Sequence, residues 1–223
     1  MPPAAAHPYV ELVAARAAEP ARTWFLSRYE DLDASDYAAV HAGAGRRLGS
    51  QSCVLTSAEQ ARLRAANVLL PEGWPLSALG RAALSCRLCE LLAPPLHFAV
   101  LVKQFRTGDN AERAALLHSL SLFPEPQRFS DLAIDACRSH VQGVFEAIAC
   151  ENPYPARFFP EANFNQLVLK AFFTGVAVRR IEGLPERRTP ELARMARAYA
   201  SERQAAGRSV PDDLDFVTSG ASA

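Results

Sequence analysis

Apolar residues recur at three- and four-residue spacings along nearly the whole chain, the period of a helix face turned toward a core. Tyr9, Leu12 and Val13 begin one amphipathic stretch. Trp24, Phe25 and Tyr29 form a second, and Tyr37, Val40, Ala44 and Leu48 a third. Trp74-Pro75 opens a longer one carrying Leu76, Leu79, Ala83, Leu84, Leu88 and Leu91, with the proline suited to a helix's first turn. Phe129, Leu132, Ala133, Ala136 and Cys137 keep the same spacing after Pro126. Alternating β-branched runs, the mark of half-buried strands, are missing, so the pattern predicts an all-α protein.

Helix-start signals sharpen the prediction. Thr56 with Glu59 forms a capping-box pattern ahead of Leu63, Ala66 and Leu70, and Asp109 with Glu112 repeats it ahead of Leu116, Leu117, Leu120 and Phe123. Ser139 with Gln142 and Asn163 with Gln166 read the same way, the latter helix ending at Gly175. Thr189-Pro190-Glu191 combines a cap, a first-turn proline and an acid at the positive helix end, and its helix runs on to about Gly207. Connections such as Arg106-Thr107-Gly108 and Pro124-Glu125-Pro126 are short, which makes consecutive helices antiparallel. Helix starts near Pro95, Asp109, Pro126, Ser139 and Asn163 suggest stacked antiparallel helical hairpins, a HEAT-like α-solenoid, with an irregular helical bundle as the rival arrangement. We expect an N-terminal helical region over 1–73, its boundary at Pro71-Glu72-Gly73, a helical core over 74–210 and a disordered tail over 211–223.

Composition narrows the functional classes. With 223 residues, 49% of them apolar, the chain can bury a substantial core. Its 24 basic and 24 acidic residues balance, so no surplus positive charge supports phosphate-backbone binding, and nucleic acid is not an expected partner. The start lacks a secretory pattern, and the most apolar stretch, Leu91 to Val102, is broken by Pro94, Pro95 and His97 and is too short to span a bilayer. A cytoplasmic protein that is not itself membrane-spanning is expected. The five cysteines are odd in number and scattered through apolar helical contexts, which reads as reduced thiols.

No motif names a reaction. Cys86-Arg87-Leu88-Cys89 has CxxC spacing but lies within a helix, among leucines, and no second CxxC completes a zinc set. Those cysteines, with His97, Cys137 and His140, are therefore not expected to bind metal, and no cofactor is expected. His118, in mid-helix, reads as solvated or structural. The richest segment is 109–175, where Asn152-Pro153-Tyr154-Pro155 is a rigid turn able to hold a tyrosine still. Glu146, Glu151, Asn152, Tyr154, Asn163, Asn165, Gln166 and Lys170 are the candidate ligand-binding residues. If the helix faces bearing Glu146 and Lys170 meet, carboxylate, ammonium and amides converge beside Phe158, Phe159 and Phe164, the make-up of a small-molecule pocket. The plainer alternative is a Glu146–Lys170 ion pair with Asn163 as an N-cap. Arg179, Arg180, Arg187 and Arg188 read as a solvated basic face.

Gly108-Asp109-Asn110-Ala111-Glu112-Arg113, Asp135-Ala136-Cys137-Arg138, Phe145 through Pro155 and Asn163 through Ala171 together resemble the EboA-domain family. The similarity is specific over 95–210 and looser before it. It implies a bacterial secondary-metabolite gene cluster whose neighbours look like a UbiA-type prenyltransferase, a sugar-phosphate cyclase, a TatD-like metal hydrolase and a phosphodiesterase-like protein. It also implies movement of a precursor toward the periplasm, and carries over no catalytic residue. The expectation is an accessory protein that binds a pathway intermediate or a protein of the same cluster, such as the prenyltransferase-like membrane protein. The alternative is a small metal-independent enzyme acting on a cyclitol- or isoprenoid-like intermediate, with Glu146 or Glu151 as acid–base group.

Overall fold

The protein is represented by a computed structural model that describes residues 8–65 and 73–219. Within these the fold is all-α: thirteen α-helices and three short 3-10 turns, with no strand beyond one isolated bridge between Ser52 and Pro75. The chain forms two compact units, Met1–Leu132 and Ala133–Ala223. The expected boundary at Pro71-Glu72-Gly73 lies largely outside the described residues, as do Ala66 and Leu70.

The first unit is built around one helix. α5 (Leu76–Leu91) buries almost every residue from Leu76 to Cys89, as a helix apolar on all sides must. It is ringed by α1 (Pro8–Arg16), α2 (Ala21–Glu30), α3 (Tyr37–Leu48), α6 (Pro94–Thr107) and α7 (Asn110–Ser119). Helices surrounding a central helix make a bundle, so here the rival to the hairpin stack is the arrangement adopted. Gly80 leaves room for α3, since a Cβ there would collide with Leu48 Cδ1. Both capping boxes form as expected. Asp109 accepts from the Glu112 amide at 2.8 Å while Glu112 accepts from the Asp109 amide at 2.8 Å. Thr56 and Glu59 do the same at the start of α4 (Ser57–Ala65). Cys86 and Cys89 are buried in α5, where burial pushes the Cys89 thiol up to about 12, far from redox-active thiolate character. All five cysteines are free.

The core of this unit also holds polar groups. Arg81 is buried and donates from Nε to the His41 carbonyl at 3.1 Å, and His41 Nδ1 lies 3.3 Å from Gln104 Nε2. His41 Nε2 has no partner, and burial, aided by the Arg81 charge, drives the ring pKa down to about 3. His118 sets its ring edge against Trp74, centroids 4.4 Å apart, with a buried, unpartnered Nδ1.

The second unit is organised by α11 (Glu161–Thr174) and α12 (Pro190–Ala205), packed with α9 (Gln142–Ala149) and α13 (Leu214–Thr218). α8 (Ser130–Cys137) leads into it, and α10 (Tyr154–Phe158) links α9 to α11. Gly175 ends α11 in the left-handed region at φ 75°, and the Thr189 hydroxyl caps α12 by accepting from the Leu192 amide at 3.2 Å, both as expected. Two starts differ. Ser139 accepts from the Val141 amide in a local turn, so α9 begins after Val141, and Asn163 is the third residue of α11, which begins after Pro160. The expected tail from 211 contains α13, whose Val217 is buried. Residues 220–223 lie outside the described residues.

Because the unfolded chain binds a proton on His41 below about pH 6.5 and the native ring does not until roughly pH 3, stability falls as pH drops through that window. It falls by up to about 1.4 kcal/mol per pH unit, and is unaffected above it. His41→Phe is expected to flatten the acid limb of a urea-midpoint-versus-pH curve by about that slope. Parallel curves would show that His41 protonates within the fold.

Candidate functional site

Five of the eight expected site residues, Glu146, Glu151, Asn152, Tyr154 and Lys170, are engaged by partners inside the second unit. After α9 the chain turns sharply, with Glu151 in the left-handed region at φ 46°. Asn152, buried, accepts from the Tyr154 amide at 3.0 Å and donates to the Ala147 carbonyl at 2.8 Å, which ties the turn to α9 and opens α10. Tyr154 is held still, but in the core. It is fully buried, its ring centroid 4.8 Å from that of Phe158 and 6.2 Å from that of Phe159.

The two glutamates converge on an arginine. Arg180 Nη1 lies 2.7 Å from Glu146 Oε2, while its Nε and Nη2 grip Glu151 in a fork at 2.8 and 3.0 Å. The Glu151 amide donates to the Arg180 carbonyl at 2.9 Å, and Gln142 donates to Glu146 at 2.7 Å. The hydrogen bond from Arg180 holds the Glu146 carboxyl below its ordinary range. Convergence of Glu146 with Lys170, whether as a pocket or as an ion pair, is corrected by this geometry. Lys170 Nζ instead donates to the carbonyls of Cys137 at 2.5 Å and Ser139 at 2.6 Å, and sits 4.8 Å over the Phe145 ring. The cause is the end of α8 at Cys137, where terminal carbonyls lack intrahelical partners and an ammonium group is a favourable donor. Partial burial lowers the Lys170 pKa. Asn163 is partly exposed, Gln166 is exposed, and Asn165 is buried with its Oδ1 unpartnered.

The basic loop is partly solvated, with Arg179 and Arg180 exposed, and its arginines also make internal contacts. Arg187 donates to the carbonyls of Ala156 and Phe159 and lies over the Phe164 ring. Arg188 reaches the carbonyls of Phe216 and Ser219, and Arg179 stacks 4.7 Å over Phe216. Among the described residues no group of three His, Cys, Asp or Glu side chains is placed to hold a metal ion.

Two pockets of similar size open on this unit: one of about 650 Å³ between residues 175–177 and 209–213, and a groove of about 610 Å³ along α9, α11 and α12, which is the one that expected site residues reach. Gln166, Leu169, Lys170 and Phe173 line it from α11, Gln142 and Phe145 from α9, and Tyr199 from α12, with His140 at its rim. Phe173 is 76% exposed. Tyr199 is fixed as a wall, its ring stacked on Phe172 at 5.9 Å and its hydroxyl donating to the Phe172 carbonyl at 3.2 Å. Of the expected residues, Gln166 and Lys170 reach this groove. His140, Phe145, Leu169, Phe173 and Tyr199 were not among the candidate ligand-binding residues. The signal for part of it was there, since 166, 169, 170 and 173 recur at helical spacing on one face of α11.

A family model described as "Metabolite traffic protein EboA" matches residues 8–217. The chain belongs to the EboA metabolite traffic family. The match begins at residue 8, well before the segment of specific resemblance, and so extends over most of both compact units of this EboA protein. No curated protein and no solved structure matches the chain. Among the described residues of this EboA protein no helix is long and apolar enough to cross a membrane.

Removing the α8 cap with Lys170→Met is expected to lower the unfolding free energy by about 1–2 kcal/mol, the usual size for partly exposed hydrogen bonds to a charged donor. Arg180→Gln, at a more exposed pair, should cost about 1 kcal/mol. Urea denaturation measures both, and an unchanged Lys170→Met midpoint would show that the carbonyl contacts contribute nothing.

Proposed function

We propose that this EboA protein serves metabolite traffic as a binding protein without chemistry of its own. In this reading the groove along α9, α11 and α12 holds a small, largely apolar metabolite and passes it to another protein of the same gene cluster, the prenyltransferase-like membrane protein among them. The observation that carries this is Phe173: a phenylalanine left 76% exposed on the wall of a groove about 610 Å³ in volume, within the range of small-molecule sites. Phe145, Leu169 and Tyr199 supply further apolar or aromatic wall, and the amides of Gln142 and Gln166 supply neutral, directed polar groups. The enzymatic alternative is less well supported. Glu146 is tied to Arg180 and held below the ordinary carboxylate range, which suits a permanent anion better than a proton donor at neutral pH.

Native mass spectrometry of the full chain purified from its own host, before and after mild denaturation, tests the reading. A released small molecule is expected, with occupancy reduced at least about tenfold in Phe173→Glu and unchanged in Glu146→Gln. Full occupancy in Phe173→Glu would move the ligand elsewhere, and protein that emerges empty from a host with an intact cluster would overturn the proposal. Occupancy lost only in Glu146→Gln would favour the acid–base alternative.

A further inference from the structure

A further open site lies in the first unit, on the hairpin of α2 and α3. Trp24 and Arg28 are four residues apart on α2 and share a face, as do Gly43 and Arg47 on α3, with Arg46 adjacent. These residues and Asp36 line a pocket of about 310 Å³. Gly43 lets the indole seat on the helix, because a Cβ there would come within 3.3 Å of Trp24 Cζ2. Glycine in mid-helix costs roughly 1 kcal/mol relative to alanine, and this seat gives it a reason.

The charges around the indole are unbalanced, with three guanidinium groups facing one carboxylate. That carboxylate, Asp36, already accepts from the Asp33 amide at 3.2 Å and meets Arg28 only at 3.9 Å. Arg47 lies 5.7 Å from the Trp24 ring centre, and neither Arg46 nor Arg47 has a carboxylate or carbonyl partner among the described residues. A place in the last turn of a helix favours a cation, but it does not by itself gather three from two helices around one aromatic face. Arginine forks match the geometry of phosphate oxygens, and an aromatic floor between them accepts the flat or apolar part of an organic ester.

We infer that the Trp24 pocket binds a phosphate-bearing small molecule, the anion held by Arg28, Arg46 and Arg47 and the organic part resting on the indole. The site is separate from the groove of the second unit and does not depend on the function proposed for it. Trp24 and Trp74 are the two tryptophans of the chain, so 5-fluorotryptophan labelling of the full protein gives one fluorine resonance at the pocket and one control. Trp24→Phe assigns them. Titration with inorganic pyrophosphate, against sodium chloride of matched ionic strength, is expected to move the Trp24 resonance saturably, with a Kd of about 1 mM or tighter, and to leave Trp74 in place. The exposed pair Arg46→Gln and Arg47→Gln should together raise that Kd at least about tenfold. A shift that chloride reproduces, that does not saturate, that affects both tryptophans alike or that survives the double substitution overturns the site. Sedimentation with phosphatidylcholine vesicles, with and without phosphatidic acid, then identifies the source of the phosphate. Co-sedimentation on phosphatidic acid, reversed by pyrophosphate, assigns a lipid headgroup, and protein left in the supernatant assigns a soluble ester.

Discussion

Short helices create the constraint on which much of this structure rests. Each ends with carbonyls that have no partner within the helix, and the thirteen helices of the described residues leave many such groups to be satisfied. Here long cationic side chains do it repeatedly. Lys170 takes the carbonyls ending α8, Arg113 those of Phe105 and Arg106 at the end of α6, Arg187 those at the end of α10, and Arg188 with Arg197 those at the end of α13. A cation suits the negative end of a helix, and its methylene stem covers apolar surface on the way.

This arrangement decides which of the polar residues remain free for function. Glu146, Glu151 and Arg180 complete one another, Asn152 closes its own turn, and Tyr154 is core, so the density of polar residues between α9 and α11 builds the connection between those two helices. The groove that is left owes its shape to those fixed parts. Lys170, anchored on α8, holds its own stem and the face of Phe145 together, while Tyr199 is pinned by the Phe172 carbonyl. Its unengaged elements include the exposed, apolar Phe173 and the neutral amide of Gln166.

Helix existence was legible from periodicity, and starts were legible where a single local rule governed them. Asp109 with Glu112, Thr56 with Glu59 and Thr189-Pro190 all cap as their spacing indicates. The rule failed where a neighbour competed for the same backbone. Pro160, with ψ 151° and no amide hydrogen to give, starts α11 three residues before Asn163, and the Ser139 hydroxyl accepts from Val141 instead of capping a helix. The Arg180 partnership was not legible at all, since it joins residues 29 and 34 positions apart, and no local pattern distinguishes a solvated arginine from one folded back onto a carboxylate.

The same logic gives meaning to the cations that are not engaged in this way. If most arginines and lysines here answer a particular carbonyl or carboxylate, then a balanced net charge conceals an uneven surface. Arg46 and Arg47 matter because they sit among such engaged cations without a carbonyl or carboxylate of their own, against an indole that a glycine has been placed to admit. A surface arginine usually needs no explanation, because solvation is enough. Two of them beside a third, lining one pocket with an indole, concentrate positive charge that no nearby carboxylate fully balances.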